Sequence, residues 1–201
     1  AYMQIDIIQS AVNYLSDDVI AINFDFFGKT MTGRKENFPL WKRATGQVES
    51  VMGEALGRIY VDKYFPASSK QRMETLVKNL QISLAERIKE QDWMSEETKQ
   101  AALDKLSTFY VKIGYPDKWK DMTGLDIEPK LSYYENVQNC RLFWNKWDID
   151  YRAGKPVDKD EWFMTPQTVN AYYNPTTNEI CLPAGILQVP FLDPEADDAF
   201  N

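Results

Sequence analysis

Apolar residues recur every three or four positions up to about Arg152, and near Trp162 the spacing changes to a period of two. A chain with that switch folds as helices first and a small β element last. Ile5, Ile8, Val12 and Leu15 begin the helical pattern, Val19, Ile20, Phe24 and Phe27 continue it, and Gly28 to Gly33 interrupts it. A second helix is predicted from Pro39, tolerated in a first turn, through Trp41, Val51, Leu56 and Tyr60 to a stop before Pro66. Ser68 and Ser69 offer N-caps for a third, whose stripe is Met73, Leu76, Val77, Leu80, Leu84 and Ile88. Ser95-Glu96-Glu97 opens a fourth, predicted to end at Gly114-Tyr115-Pro116, and a fifth spans about Tyr133 to Trp147 before Gly154-Lys155-Pro156. The segment up to that point reads as helical throughout.

Beyond Trp162, Thr168 to Tyr173 is β-branched and aromatic, Asn174 to Asn178 has turn chemistry, and Glu179 to Leu182 is a second short strand. The apolar stretch Pro183 to Phe191 carries prolines that forbid a regular element through it, and Asp193-Pro194-Glu195 reads as the capped start of another helix. The fold class is mainly α with a C-terminal β-hairpin, that is, α+β.

What the chain lacks narrows its chemistry. It has no histidine, so no imidazole base, Ser-His or Cys-His nucleophile, or imidazole zinc ligand is available within it. With 30 acidic against 23 basic residues the net charge is −7, which argues against a surface that tracks nucleic-acid phosphates. Cys140 and Cys181 form no C-x-x-C pair and read as buried small hydrophobes rather than a bridge. The longest early apolar run, Val19 to Ile22, is far short of the roughly 20 residues of a membrane span. The chain opens Ala-Tyr-Met-Gln with no signal-peptide pattern, and is expected to be cut from something longer.

Three features invite a functional reading. Asp193, Glu195, Asp197 and Asp198 have the oxygen ligands of a hard-cation site, but the alternating ligand register and turn glycine of a calcium loop are missing, so a capped helix start is the simpler reading. The 27 aromatic residues include six tryptophans, and most recur at helix spacing, as core residues do. The hairpin can expose an edge strand to which an extended peptide pairs, with Asn170 offering an amide and Ala171 leaving room for the incoming backbone. On pattern alone, an ordinary hairpin with Asn170 facing solvent is the simpler account.

Val169-Asn170-Ala171-Tyr172-Tyr173-Asn174-Pro175, followed by Asn178-Glu179-Ile180 and Pro183-Ala184-Gly185-Ile186-Leu187-Gln188, closely resembles the neprilysin and endothelin-converting-enzyme family of zinc metalloendopeptidases. Ala55 to Val61, Ser69-Lys70, Trp93-Met94-Ser95 with Thr98-Lys99, Ile113 to Asp117 and Asp158 to Trp162 resemble that family in the same order and spacing. The resemblance implies a two-lobed, mostly helical, thermolysin-like peptidase that hydrolyses oligopeptides in an enclosed cavity. It implies that residues 1–45 pack with the catalytic lobe, 46–155 form the cavity-closing lobe, and 156–201 begin the catalytic lobe, with the hairpin at 167–182 and the apolar loop at 183–191. It reverses the reading of the hairpin: Asn170 and Ala171 hold the substrate main chain on an edge strand, and Ile186 and Phe191 line the pocket for the residue after the scissile bond. Zinc in the intact enzyme is implied on an H-E-x-x-H helix expected to follow Asn201, within about three turns. This stretch alone is thus expected to hold no metal and no catalytic residue, and its partners are oligopeptides and the remainder of the catalytic domain. The location implied is extracytoplasmic and, from the lack of N-x-Ser/Thr acceptors and the two cysteines, bacterial. The competing reading is a non-catalytic helical binding protein that grips sugars or peptides with its tryptophans.

Overall fold

The helical spacing is realised as α1 (Tyr2–Ala11), α2 (Asp17–Asn23), α3 (Leu40–Tyr64), α4 (Ala67–Glu90), α5 (Glu96–Ser107) and α6 (Tyr133–Arg152) in a computed structural model that describes residues 2–201. The strands are β1 (Tyr110–Gly114), β2 (Tyr172–Asn174) and β3 (Glu179–Pro183). A 3₁₀ turn (Val12–Tyr14) links α1 to α2, and a π-helical stretch (Phe24–Thr30) extends α2 into the expected glycine break. One unit comprises the chain up to Val51 with Asp121–Val157; the other comprises Met52–Lys120 with Asp158–Asn201.

The first unit is aromatic-rich. Tyr14 stands edge-on to Tyr133 at 5.1 Å between ring centroids, and its hydroxyl lies 3.1 Å from Gln47 Oε1. Val12, Ile20, Val137 and Cys140 are buried. A capping box starts α6: Ser132 Oγ accepts the Glu135 amide at 3.2 Å and the Ser132 amide donates to Glu135 Oε2 at 2.8 Å. Within α3 the backbone of Met52 leaves helical geometry (φ −134°, ψ 28°), and the carbonyls on either side take side-chain donors. Trp144 Nε1 reaches Val51 O at 2.7 Å in the first unit, and Gln167 Nε2 reaches Gly53 O at 2.8 Å in the second.

The second unit is built around Val61, Phe65, Met73, Ile113, Ala184, Leu187 and Leu192. Its sheet has the order β1-β3-β2, with β3 parallel to β1 and antiparallel to β2. Two corrections concern its helices. The helix opened by Ser95 stops at Ser107, and Tyr110-Val111-Lys112-Ile113-Gly114 is a strand, because β-branched and aromatic residues there find a partner in β3. The third helix begins at Ala67 with Pro66 as its N-cap, and Ser69 is buried in the first turn instead of capping it. A third correction is at the end: residues 193–200 form turns, with no helix. Trp41 and Trp93, 69% and 75% exposed, also depart from the expectation that the aromatics are mostly core.

Pro166 and Gln167 are wedged between α3 and the loop after β3. A Cβ on Gly57 would lie 2.6 Å from both Pro166 Cδ and Gln167 Oε1, and one on Gly185 would lie 2.4 Å from Gln167 O. Gly57→Ala and Gly185→Ala are each expected to destabilise by about 1–3 kcal/mol through overpacking. Gly46→Ala, at an α3 position where a Cβ meets nothing within 4 Å, is expected to stabilise by up to about 1 kcal/mol. Denaturant titration of the three variants reads the contrast.

Candidate functional site

Alternation along the strands gives the sheet two distinct faces. Val111 and Ile113 of β1 and Leu182 of β3 point into the helical core. Tyr110 and Lys112, Glu179 and Cys181, and Tyr172 share the other face. Two of these are charged and almost wholly removed from water: the side chains of Lys112 and Glu179 are 3% and 0% exposed, with Nζ 2.9 Å from Oε2. Lys112 Nζ also donates to Glu161 O at 2.6 Å, and Glu179 Oε1 accepts from Tyr172 Oη at 3.0 Å. The segment 160–163 covers this face: Tyr110 Oη donates to Asp160, and the Phe163 ring lies 6.0 Å from that of Tyr172.

β2 is the outer strand and only three residues long. Its turn is stiff: Asn174 Oδ1 accepts from Thr176 N at 3.1 Å and Thr176 Oγ1 at 2.7 Å. Asn178 takes a left-handed backbone (φ 53°), which asparagine tolerates, and its amide donates to Lys105 O at 2.8 Å and Thr108 Oγ1 at 3.0 Å. The hairpin tip is thereby tied to the end of α5.

Asn170 and Ala171 lie immediately before β2 rather than inside it, and both are exposed. Asn170 Oδ1 accepts from the Ala171 amide at 2.8 Å, so the side-chain carbonyl is engaged locally while the amide group stays at the surface. Ile186 packs half-buried against the core, and Phe191, on the same loop, is 63% exposed. The structure brings Asn170 and Ala171 together at the sheet edge and puts Ile186 and Phe191 on the loop that β3 leads into. Lys112 and Glu179 escaped the reading of the sequence; the signal available was a lysine inside the alternating run Tyr110 to Ile113.

The acidic residues at the end serve the chain itself. Asp193 Oδ1 accepts the Glu195 amide at 2.9 Å, Asp197 Oδ1 accepts the Ala199 amide at 2.8 Å, and Asp198 pairs with Arg72 at 2.7 Å. The same guanidinium donates to the carbonyls of Pro194 and Ala196. No group of three or more His, Cys, Asp or Glu side chains is arranged to hold a metal among the described residues. Cys140 and Cys181 are unpaired and buried, as the sequence suggested. Burial pushes the Cys181 thiol up to about 12 and raises that of Cys140, so neither offers a thiolate at neutral pH. The residues present do not fit a zinc centre.

The sequence matches the profile of peptidase family M13 in two parts, an N-terminal one over residues 1–116 and a second over residues 170–201. It is 35% identical to Neprilysin-11 of Caenorhabditis elegans over 97% of this chain and 24% of that protein, and 35% identical to the neutral endopeptidase of Lactobacillus helveticus over 96% and 30%. The fold superposes on the zinc metalloprotease Zmp1 of Mycobacterium tuberculosis in its open state, with a TM-score of 0.87 and 46% identity over 96% of this chain and 29% of that one. The chain thus spans about a quarter to a third of the length of these relatives.

Two groups on the covered face of the sheet, Tyr110 and Cys181, hold protons that alkali would remove. The Asp160 hydrogen bond raises Tyr110 to about 12, and burial does the same for Cys181. Both groups hold their protons more tightly folded than unfolded, so the stability they contribute is fully present below about pH 9 and is lost as pH rises from about 9 to 12. Denaturation midpoints measured across that range are expected to decline. At pH 8 both thiols of the native protein are expected to resist iodoacetamide, and both are expected to react after denaturation.

Proposed function

Because this chain belongs to peptidase family M13, we propose that it is part of a zinc-dependent endopeptidase acting on oligopeptides, in which its role is to receive and align the substrate main chain. The observation that carries the reading is the exposed edge at Asn170–Asn174, backed by a sheet whose inner strand is fixed by a buried ion pair. An extended peptide adds to such an edge by main-chain hydrogen bonds, which hold its scissile bond in register without regard to side-chain identity. Asn170 would supply a side-chain amide to the peptide backbone and Ala171 the clearance for it. Ile186 and Phe191 would form part of the pocket for the residue after the scissile bond, with Ile186 anchored to the core.

The zinc that the family implies would be held by the remainder of the catalytic domain, and no residue of this chain is assigned a role in bond cleavage. In this reading residues 1–45 pack with the catalytic lobe, 46–155 belong to the cavity-closing lobe and 156–201 begin the catalytic lobe. No helix is long and apolar enough to cross a membrane among the described residues. An extracytoplasmic, bacterial setting goes with the reading. The carrier alternative has less behind it, since the indole N–H groups of Trp144 and Trp93 are engaged by Val51 O and Gln91 Oε1 within the chain.

In the intact enzyme, Asn170→Ala is expected to lower kcat/KM for a peptide substrate about ten- to a hundredfold, the loss of one substrate-fixing hydrogen bond. Steady-state kinetics checks it, and an unchanged value overturns the assignment.

A further inference from the structure

We propose that Tyr172 is a positioning residue for substrate: its hydroxyl, held by the buried Lys112–Glu179 pair, fixes the register in which the edge at Asn170–Asn174 meets a peptide. The inference rests on the peptidase reading above. It adds a residue whose side chain lies on the sheet face that the segment 160–163 covers.

The edge is short of internal support. β2 pairs with β3 over only three residues, Tyr172 with Cys181, Tyr173 with Ile180 and Asn174 with Glu179, and residues 169–171 lie outside the ladder. A two-stranded ribbon of that length is marginal by itself, and incoming peptide pulls on its free side. Tyr172 supplies the missing restraint. Its hydroxyl crosses diagonally to Glu179 Oε1 at 3.0 Å.

The acceptor is rigid. Glu179 is fully buried and its other oxygen lies 2.9 Å from Lys112 Nζ, which is itself held by Glu161 O at 2.6 Å. A slip of β2 by one residue would turn Tyr172 to the opposite face and bring Tyr173 or Ala171 against the carboxylate, leaving a buried charge short of a donor. Tyr173 could take its place only by giving up its own contacts, the hydrogen bond from its hydroxyl to Asn178 Oδ1 at 3.1 Å and the stacking of its ring on Phe109 at 6.2 Å between centroids. The phenol therefore locks the strand in one register, and with it the positions of the adjoining Ala171 and Asn170.

The test is a double-mutant cycle in the intact enzyme with a peptide substrate. Tyr172→Phe removes one oxygen and keeps the ring. It is expected to lower kcat/KM about five- to twentyfold in the wild-type background but less than twofold in the Asn170→Ala background, where the contact it aligns is already gone. A purely structural role predicts equal losses in both backgrounds, and that result overturns the proposal. Loss with Asn170→Ala but none with Tyr172→Phe overturns it too while leaving the peptidase reading standing; no loss with Asn170→Ala removes both. Should Tyr172→Phe fold poorly, Lys112→Met with Glu179→Leu removes the acceptor while substituting apolar for ionic packing. That pair is expected to show the same dependence on Asn170, and equal losses in both backgrounds count against the proposal in the same way.

Discussion

The pair Lys112–Glu179 is the constraint on which the second unit depends. Two charges with 3% and 0% exposure have lost their hydration, and the attraction between them, even at 2.9 Å, returns only part of that cost. Such pairs are weak arguments for stability and stronger ones for uniqueness. Five residues of β1 and five of β3 lie parallel, an arrangement that main-chain hydrogen bonds alone permit in neighbouring registers. Sliding by one residue would swing Lys112 to the side of Ile113, into a core of Val61, Phe65 and Leu187. The register that pairs the charges is also the one in which Ala184 N reaches Gly114 O at 2.8 Å and the loop after β3 delivers Ala184, Leu187 and Leu192 to the core.

This dependence explains what the sequence disclosed. The hairpin was legible because its signals are local: β-branched runs on both sides of a turn whose asparagines make their own hydrogen bonds. Ser95 as a cap was legible for the same reason, and its hydroxyl does accept the Thr98 amide at 3.2 Å. β1 was not. Its five residues follow a helix without a proline or glycine between them, and what makes them a strand is β3, about 70 positions later. Lys112 was hidden by the same distance, since a lysine is expected in solvent until its carboxylate partner is known. Asn170 and Ala171, to which the proposed function gives the substrate main chain, carried weight only through resemblance to a family, because an exposed asparagine before a strand has no signature of its own.

The end of the chain shows tertiary contacts overriding a local signal. Asp193-Pro194-Glu195 has the composition of a helix start, and Asp193 does accept the Glu195 amide as a cap would. A helix would then require the carbonyls of Pro194 and Ala196 for its own amides four residues on. Arg72 takes both, together with the Asp198 carboxylate, while Asp193 and Asn201 close the segment through reciprocal bonds of 2.7 and 3.0 Å. One guanidinium on α4 thus competes for the acceptors of an incipient helix. Leu192, 1% exposed, holds the segment down beside it.

An exposed sheet edge is a hazard as well as a site, because any extended chain pairs with it. This one is three residues long, is followed by Pro175, and is preceded by an asparagine that folds its own carbonyl back on the next amide. Those features limit how much main chain is on offer to another copy of the protein. In the proposed role they would also keep a substrate from being held by a long ladder, so its alignment would fall to a few groups whose positions are fixed from behind. The sheet supplies that backing through buried polar groups rather than hydrocarbon, because only a directional contact such as phenol to carboxylate distinguishes one register from the next.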